Sequence, residues 1–277
     1  MSRQVVGTCA LCLQSGVRLL DSHILPKWTY RRARDRSGAA GSPDPILFRN
    51  GVVIQTSEQI REHLLCEVCE QLLSPDENYV SKLAFQEDES LGLERMLESG
   101  TSVPRALVGG LAFFGDSPRA ALVSNLECVA IARFAASVFW RTAVARRQKF
   151  IALRLWKDQV EALRRFVRGE KGLPNRFCFT MMALVDNPGE TPMRGLQGTS
   201  TMAPSTAKRG ENSFHQFIAA GLLFCLGTGT FAHPEICLAC SRRPHALFQE
   251  WHKARLAWDG MLAIVSGERK GKAARLG

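Results

Sequence analysis

Two Cys-x-x-Cys pairs, C9-A-L-C12 and C66-E-V-C69, stand near the start of the chain. A turn of this kind brings two thiolates to one side of a metal ion, and two such turns complete a tetrahedron. Nothing else in the sequence restricts the fold as tightly, because two segments more than fifty residues apart must meet at one point. The separation is too long for a compact ribbon. It predicts a hairpin and loop inserted between a knuckle and a helix N-terminus, a treble-clef organisation. Cys9, Cys12, Cys66 and Cys69 are therefore the predicted ligands of a structural Zn²⁺, whose charge favours the thiolate form at neutral pH.

The redox compartment matters to that reading. "MSRQVVGTCALC" has no apolar leader core, and no run reaches the roughly 18 apolar residues of a membrane span. A cytoplasmic protein with no membrane partner is expected, in which Cys-x-x-Cys pairs read as metal or redox motifs rather than disulfides. The net charge of +10 and pI near 9.4 favour polyanionic partners, nucleic acid before anionic membrane.

The 277 residues suffice for one large or two modest domains. The expected class is α+β: a zinc-bound unit over 1–85, an α+β region over 86–270 and a basic tail over 271–277. Within the first unit, 36–45 reads as a Gly/Ser/Pro loop and 46–55 as a hairpin turning at Asn50-Gly51. Residues 57–74 read as a helix or turn leading into the second knuckle, and 76–98 as an acidic, solvated helical connector. Residues 120–168 read as two long helices, the first apolar on nearly every face and so buried. Strands are expected within 176–232 around a loop at 187–213, and a last amphipathic helix over 244–265. Cys128, Cys178 and Cys225 lie in apolar runs and read as core thiols.

The first knuckle is followed by D21-S-H-I-L-P26, and the second reads L65-C-E-V-C-E70. This combination resembles the HNH endonuclease superfamily, in which a zinc-bracketed ββα-metal unit carries a histidine in a "(D/H)HxxP" context. The resemblance covers about residues 9–80. It implies hydrolysis of a phosphodiester, with His23 as general base activating water and Mg²⁺ or Mn²⁺ neutralising the leaving oxyanion. It further implies that Asn50 orients the base and that Glu70 stands at the metal-binding position of the helix. Two features depart from the pattern. Ser22 replaces the usual Asp or His before the base, and Glu70 replaces a histidine. Asp76 and Glu77, on the next helical turns, are alternative carboxylate donors. The other reading of His23 is a structural histidine packed against the zinc hairpin.

Further cations surround this motif. Lys27, Arg31, Arg32, Arg34 and Arg36 interleave with Trp28 and Tyr30, so the arginines can hold phosphates while Trp28 packs under the helix. Over 141–171 ten Lys and Arg face three acids, Arg146 and Arg147 among them, as either a phosphate-tracking or a solubilising face. A third pair, Cys237 and Cys240, is flanked by His233 and His245. It reads as a second metal site, as buried structural thiols or as a redox pair. No P-loop, dinucleotide fingerprint or nucleophile elbow is present. The sequence thus leads to an HNH-like, metal-dependent DNA nuclease, in the manner of bacterial restriction or antiphage effectors. The alternatives are a non-catalytic zinc-dependent DNA-binding protein and a nucleic-acid-contacting subunit of a larger protein complex.

Overall fold

The computed structural model describes residues 4–30, 46–49, 52–55, 59–84, 101–102, 120–124, 126–146, 153–174, 177–183, 202–209, 212–220, 222–228 and 245–249. Helix and antiparallel sheet are mixed, as an α+β chain requires.

The N-terminal sheet has the order β1-β2-β5. Strand β1 (Val5–Gly7) runs into the first knuckle and returns as β2 (Val17–His23), with Val5 opposite Leu19 and Gly7 opposite Val17. The reversal is tight. Cys9 N–H donates to the Gln14 carbonyl and Leu13 N–H to the Cys9 carbonyl, both at 2.9 Å. Leu13 and Gly16 take left-handed backbone angles, φ 62° and 71°, which glycine adopts without strain and leucine only where the loop is fixed by other contacts.

Strands β3 (Ile46–Arg49) and β4 (Val52–Gln55) pair antiparallel with Arg49 opposite Val52, as the hairpin expected over 46–55 requires. Next comes β5 (Arg61–Leu65), antiparallel to β2 and shifted in register between Leu20 and Asp21. The expected helix or turn at 57–74 is thus corrected to a strand followed by a helix. Pairing with β2 satisfies the backbone of 61–65 and buries Leu64 and Leu65, and such tertiary pairing outweighs local helical preference. Helix α1 (Glu67–Ala84) starts at once, with Glu67 and Glu70 in its first turn, where the helix dipole favours acids.

Strand β6 (Thr101–Ser102), β7 (Ala120–Ser124) and β12 (His245–Gln249) form a second sheet in the order β12-β7-β6. Two expectations change here. The 120–168 region, expected to hold two helices, opens instead with a central strand at 120–124, and its first helix begins at Cys128. The final helix expected from 244 is a strand at its start, with Leu247 opposite Leu122. Both changes replace a local helical period by backbone pairing across more than a hundred residues.

The two helices of the 120–168 region are α2 (Cys128–Val144) and α3 (Lys157–Val167). Ile131, Phe134, Val138, Phe139 and Trp140 of α2 are fully buried, as its all-round apolar sequence requires. It packs near a third sheet of order β8-β11-β10-β9, formed by β8 (Phe177–Ala183), β9 (Met202–Arg209), β10 (Asn212–Ala219) and β11 (Leu222–Thr228). Strand β9 lies inside the stretch expected to be a loop. It is polar and reads poorly as a strand alone, but β10 supplies its pairing, with His215 opposite Thr206. Phe217 sits 4.8 Å from Phe224 and 5.0 Å from Phe139, ring centre to ring centre. One apolar core runs from Cys9 to Leu226, and Trp28 joins it against Phe134 at 6.3 Å. No helix among the described residues is long and apolar enough to cross a membrane.

Candidate metal centre and the His23 neighbourhood

The sequence places one cysteine pair at the tip of the β1–β2 turn and the other across the β5–α1 junction. The sheet then brings the pairs together, because Ala10 N–H donates to the Leu64 carbonyl at 2.9 Å. The sulfurs of Cys9, Cys12, Cys66 and Cys69 all lie within 4.8 Å of one another, with Cys12 and Cys66 at 3.9 Å. Cys66 N–H also donates to Cys9 Sγ at 3.4 Å. Among the described residues this is the one group of His, Cys, Asp or Glu side chains close enough to share a metal ion.

The thiols differ in their surroundings. Burial pushes Cys66 up, and burial with the neighbouring sulfurs pushes Cys69 up. At Cys12 burial also raises the value, but hydrogen bonds from the Gln14 backbone and the other cysteines bring it down to about 7. Four sulfurs at this spacing, three of them on buried residues, cannot all ionise without a cation between them. A tetrahedral set of four sulfur donors fits Zn²⁺, so the metal-binding expectation stands on geometry.

Two arginines from α3 brace the cluster. Arg168 Nη1 donates to Cys69 Sγ at 3.7 Å, and buried Arg164 donates from Nη1 to the Leu11 carbonyl, inside the first knuckle, at 2.8 Å. Glu161 holds the other side of Arg164 through two bonds of 2.8 Å. Part of the basic stretch at 141–171 is thus turned inward, while Arg154, Lys157 and Lys171 are exposed. Arg164 is buried, Arg165 and Arg168 pair with Glu170, and Arg141 is 1% exposed. Arg146 remains exposed, with its backbone N–H on Glu62.

His23 ends β2, half-buried, opposite Arg61. Burial holds its pKa below the ordinary imidazole value, against a hydrogen bond to Gln59 that favours the charged form. Its Nε2 lies 2.7 Å from Gln59 Oε1. Arg61 Nη2 donates to the same oxygen, and Arg61 Nη1 lies 3.5 Å from Asp21. From behind, Arg141 donates to the His23 carbonyl at 2.8 Å and to Glu77 at 2.5 Å. The end of β2 is thereby fixed to both α1 and α2.

The remaining candidates divide. Ser22 is buried and donates to the Leu20 carbonyl at 3.3 Å, turned away from the face that carries Asp21 and His23. Asp76 is buried in a two-point pair with Arg133, at 2.7 and 2.8 Å, and Glu77 is bound by Arg141. The acidic 76–98 stretch is therefore not a solvated connector at its start, and neither carboxylate stands free for a second cation. Glu70 Oε1 is buried with no hydrogen-bond partner among the described residues. Lys27 is exposed beside His23 in the chain. Asn50, Arg31, Arg32, Arg34, Arg36, Arg147, His233, Cys237 and Cys240 lie outside the described residues, as does the side chain of His245. Cys128 and Cys225 are buried and Cys178 is half-buried.

Sequence reasoning missed Gln59, Arg61, Arg141, Arg164 and Arg168. A signal existed for Arg141. An arginine inside the apolar run "SVFWRTAV" must find acceptors, since an unpaired buried charge is costly. No family model, curated protein or solved structure matches the chain.

Proposed function

We propose that the chain is an HNH-like nuclease acting on DNA, built on a zinc-anchored treble-clef ββα unit with His23 as general base. The observation that supports it best is the placement of His23. It ends the strand that pairs with β5, immediately before the second knuckle and α1, and burial keeps its ring neutral at neutral pH. A neutral imidazole holds the lone pair that base catalysis needs. Among the described residues Nδ1 has no hydrogen-bond partner. The net charge of +10 suits a polyanionic substrate.

Zn²⁺ fits the four thiols and supplies fold stability there, not chemistry. Mg²⁺ or Mn²⁺ is not similarly provided for. Asp21, Asp76 and Glu77 are each engaged by an arginine, and among the described residues Glu70 Oε1 is a buried carboxylate oxygen with no hydrogen-bond partner. That same observation favours a second reading, a zinc-dependent DNA-binding protein that does not cut.

Plasmid DNA incubated with the full chain and Mg²⁺ or Mn²⁺, beside His23→Ala, separates the two. Nicking by the native chain that disappears in the variant supports the nuclease. Equal background in both, with salt-sensitive DNA binding intact, supports the binding protein.

A further inference from the structure

The polar contacts around His23 form one directed chain, and its direction can be read from which groups are able to donate. A guanidinium carries only N–H donors and no acceptor. The Gln59 atom that faces Arg61 must therefore be the amide oxygen, not the nitrogen. This settles an amide orientation that is otherwise open to a flip. The same oxygen faces His23 Nε2 at 2.7 Å. An oxygen that accepts from one side can only accept from the other, so the proton of the neutral ring sits on Nε2. Asp21 closes the far end, 3.5 Å from Arg61 Nη1, and holds the guanidinium toward Gln59. All four residues sit on or beside the paired ends of β2 and β5, where Asp21 stands opposite His63 and His23 opposite Arg61.

We infer that Gln59 is the positioning residue of His23: held by Arg61 and Asp21, its carbonyl fixes the Nε2–H tautomer and leaves Nδ1 as the atom that takes a proton from water. This rests on the nuclease reading for the role of Nδ1, but the tautomer itself does not depend on that role. It also gives Asp21 a task other than metal binding, and it places the orienting function on Gln59 beside β5 rather than on Asn50. The hydrogen bond to Gln59 favours the charged ring and Arg61 opposes it, so the pair tunes the base in opposite directions while fixing its geometry.

The test is a long-range ¹H–¹⁵N correlation spectrum of the full chain, zinc-loaded and labelled at histidine. The His23 signals are assigned by their loss in His23→Asn among the six histidines. Above its titration the native His23 is expected as a single Nε2–H tautomer. Gln59→Glu, which keeps an acceptor at that position, retains the tautomer and raises the titration point. Gln59→Leu removes the acceptor, gives a mixture of tautomers and lowers the titration point. A native ring protonated on Nδ1, or a Gln59→Leu spectrum with native tautomer and titration, overturns the proposal. The native spectrum needs no variant, so a misfolded variant does not protect the idea.

Nicking rates are measured on the same samples. With zinc content and DNA affinity unchanged, Gln59→Leu is expected to cut about ten- to a hundred-fold more slowly, as loss of orientation does. The expected tautomer in a chain that never cuts leaves Gln59 as the orienting residue and removes the nuclease reading. The wrong tautomer in a chain that cuts does the reverse.

Discussion

The four-cysteine unit and the four-stranded sheet solve the same problem by opposite means. Around Cys9, Cys12, Cys66 and Cys69 the chain is held by four sulfurs, short strands and arginines reaching into backbone carbonyls. Around β10 and β11 it is held by aromatic rings in tilted, edge-on and stacked contact, with Phe134, Phe139, Phe217 and Phe224 all fully buried. The first region adds directional contacts to its share of the common apolar core; the second rests on aromatic packing. Directional contacts fail together when one member is lost, whereas an aromatic cluster loses stability in proportion to the atoms removed.

Metal removal is the sharpest way to break that comparison. Structural zinc contributes on the order of 10 kcal/mol to small sites. Cys69→Ser, or a strong chelator, should unfold residues 5–84 while the sheet persists. Hydrogen exchange resolved along the chain checks this, and equal loss of protection in both regions would erase the distinction. Next in size, Phe217→Ala should cost about 3–5 kcal/mol in thermal unfolding, with zinc stoichiometry unchanged at one per chain from the N-terminal site.

His215 sharpens the picture from inside the sheet. It is fully buried, and burial lowers its pKa to about 4 from the ordinary 6.5. The folded state resists protonation more than the unfolded chain does, so the neutral ring's contribution is complete above pH 6.5 and is lost as pH falls toward 4. The loss is about 3 kcal/mol. Denaturant titrations across that window should show it, and His215→Leu should flatten the acid limb. Smallest is Asp21→Asn. An ion pair this exposed is worth under about 1 kcal/mol, so the midpoint of unfolding should barely move, even though the variant loosens Arg61 beside Gln59.

How much was legible in the sequence follows the same division. The four cysteines announced themselves because metal ligands carry their spacing in the chain, and the Asn50-Gly51 hairpin because its turn chemistry is local. The buried helix at 128–144 was legible from composition. Strands β5 and β12 were not, since each exists through a partner distant in sequence, β2 and β7; β9 was not because its own residues are polar, although its partner β10 follows after two residues. The His23 neighbourhood failed for the same reason. Ser22 stands in sequence where the resemblance expects an Asp or His, but a one-residue step along a strand turns it to the buried face. Asp76 and Glu77 looked like free acids because Arg133 and Arg141 lie 57 and 64 residues away.

Those long reaches also set an order of events during synthesis. Arg141 bonds the carbonyl of His23 across 118 residues, and Arg164 bonds that of Leu11 across 153. At translation rates of about 5–20 residues per second, roughly ten seconds pass between the appearance of each acceptor and that of its arginine. During that interval the first knuckle can already close on its ion, but the strand end bearing His23 has no anchor behind it. The strand end that bears His23 is thus made well before the helix that anchors it, and its histidine is expected to take its final place only after α2 has been made.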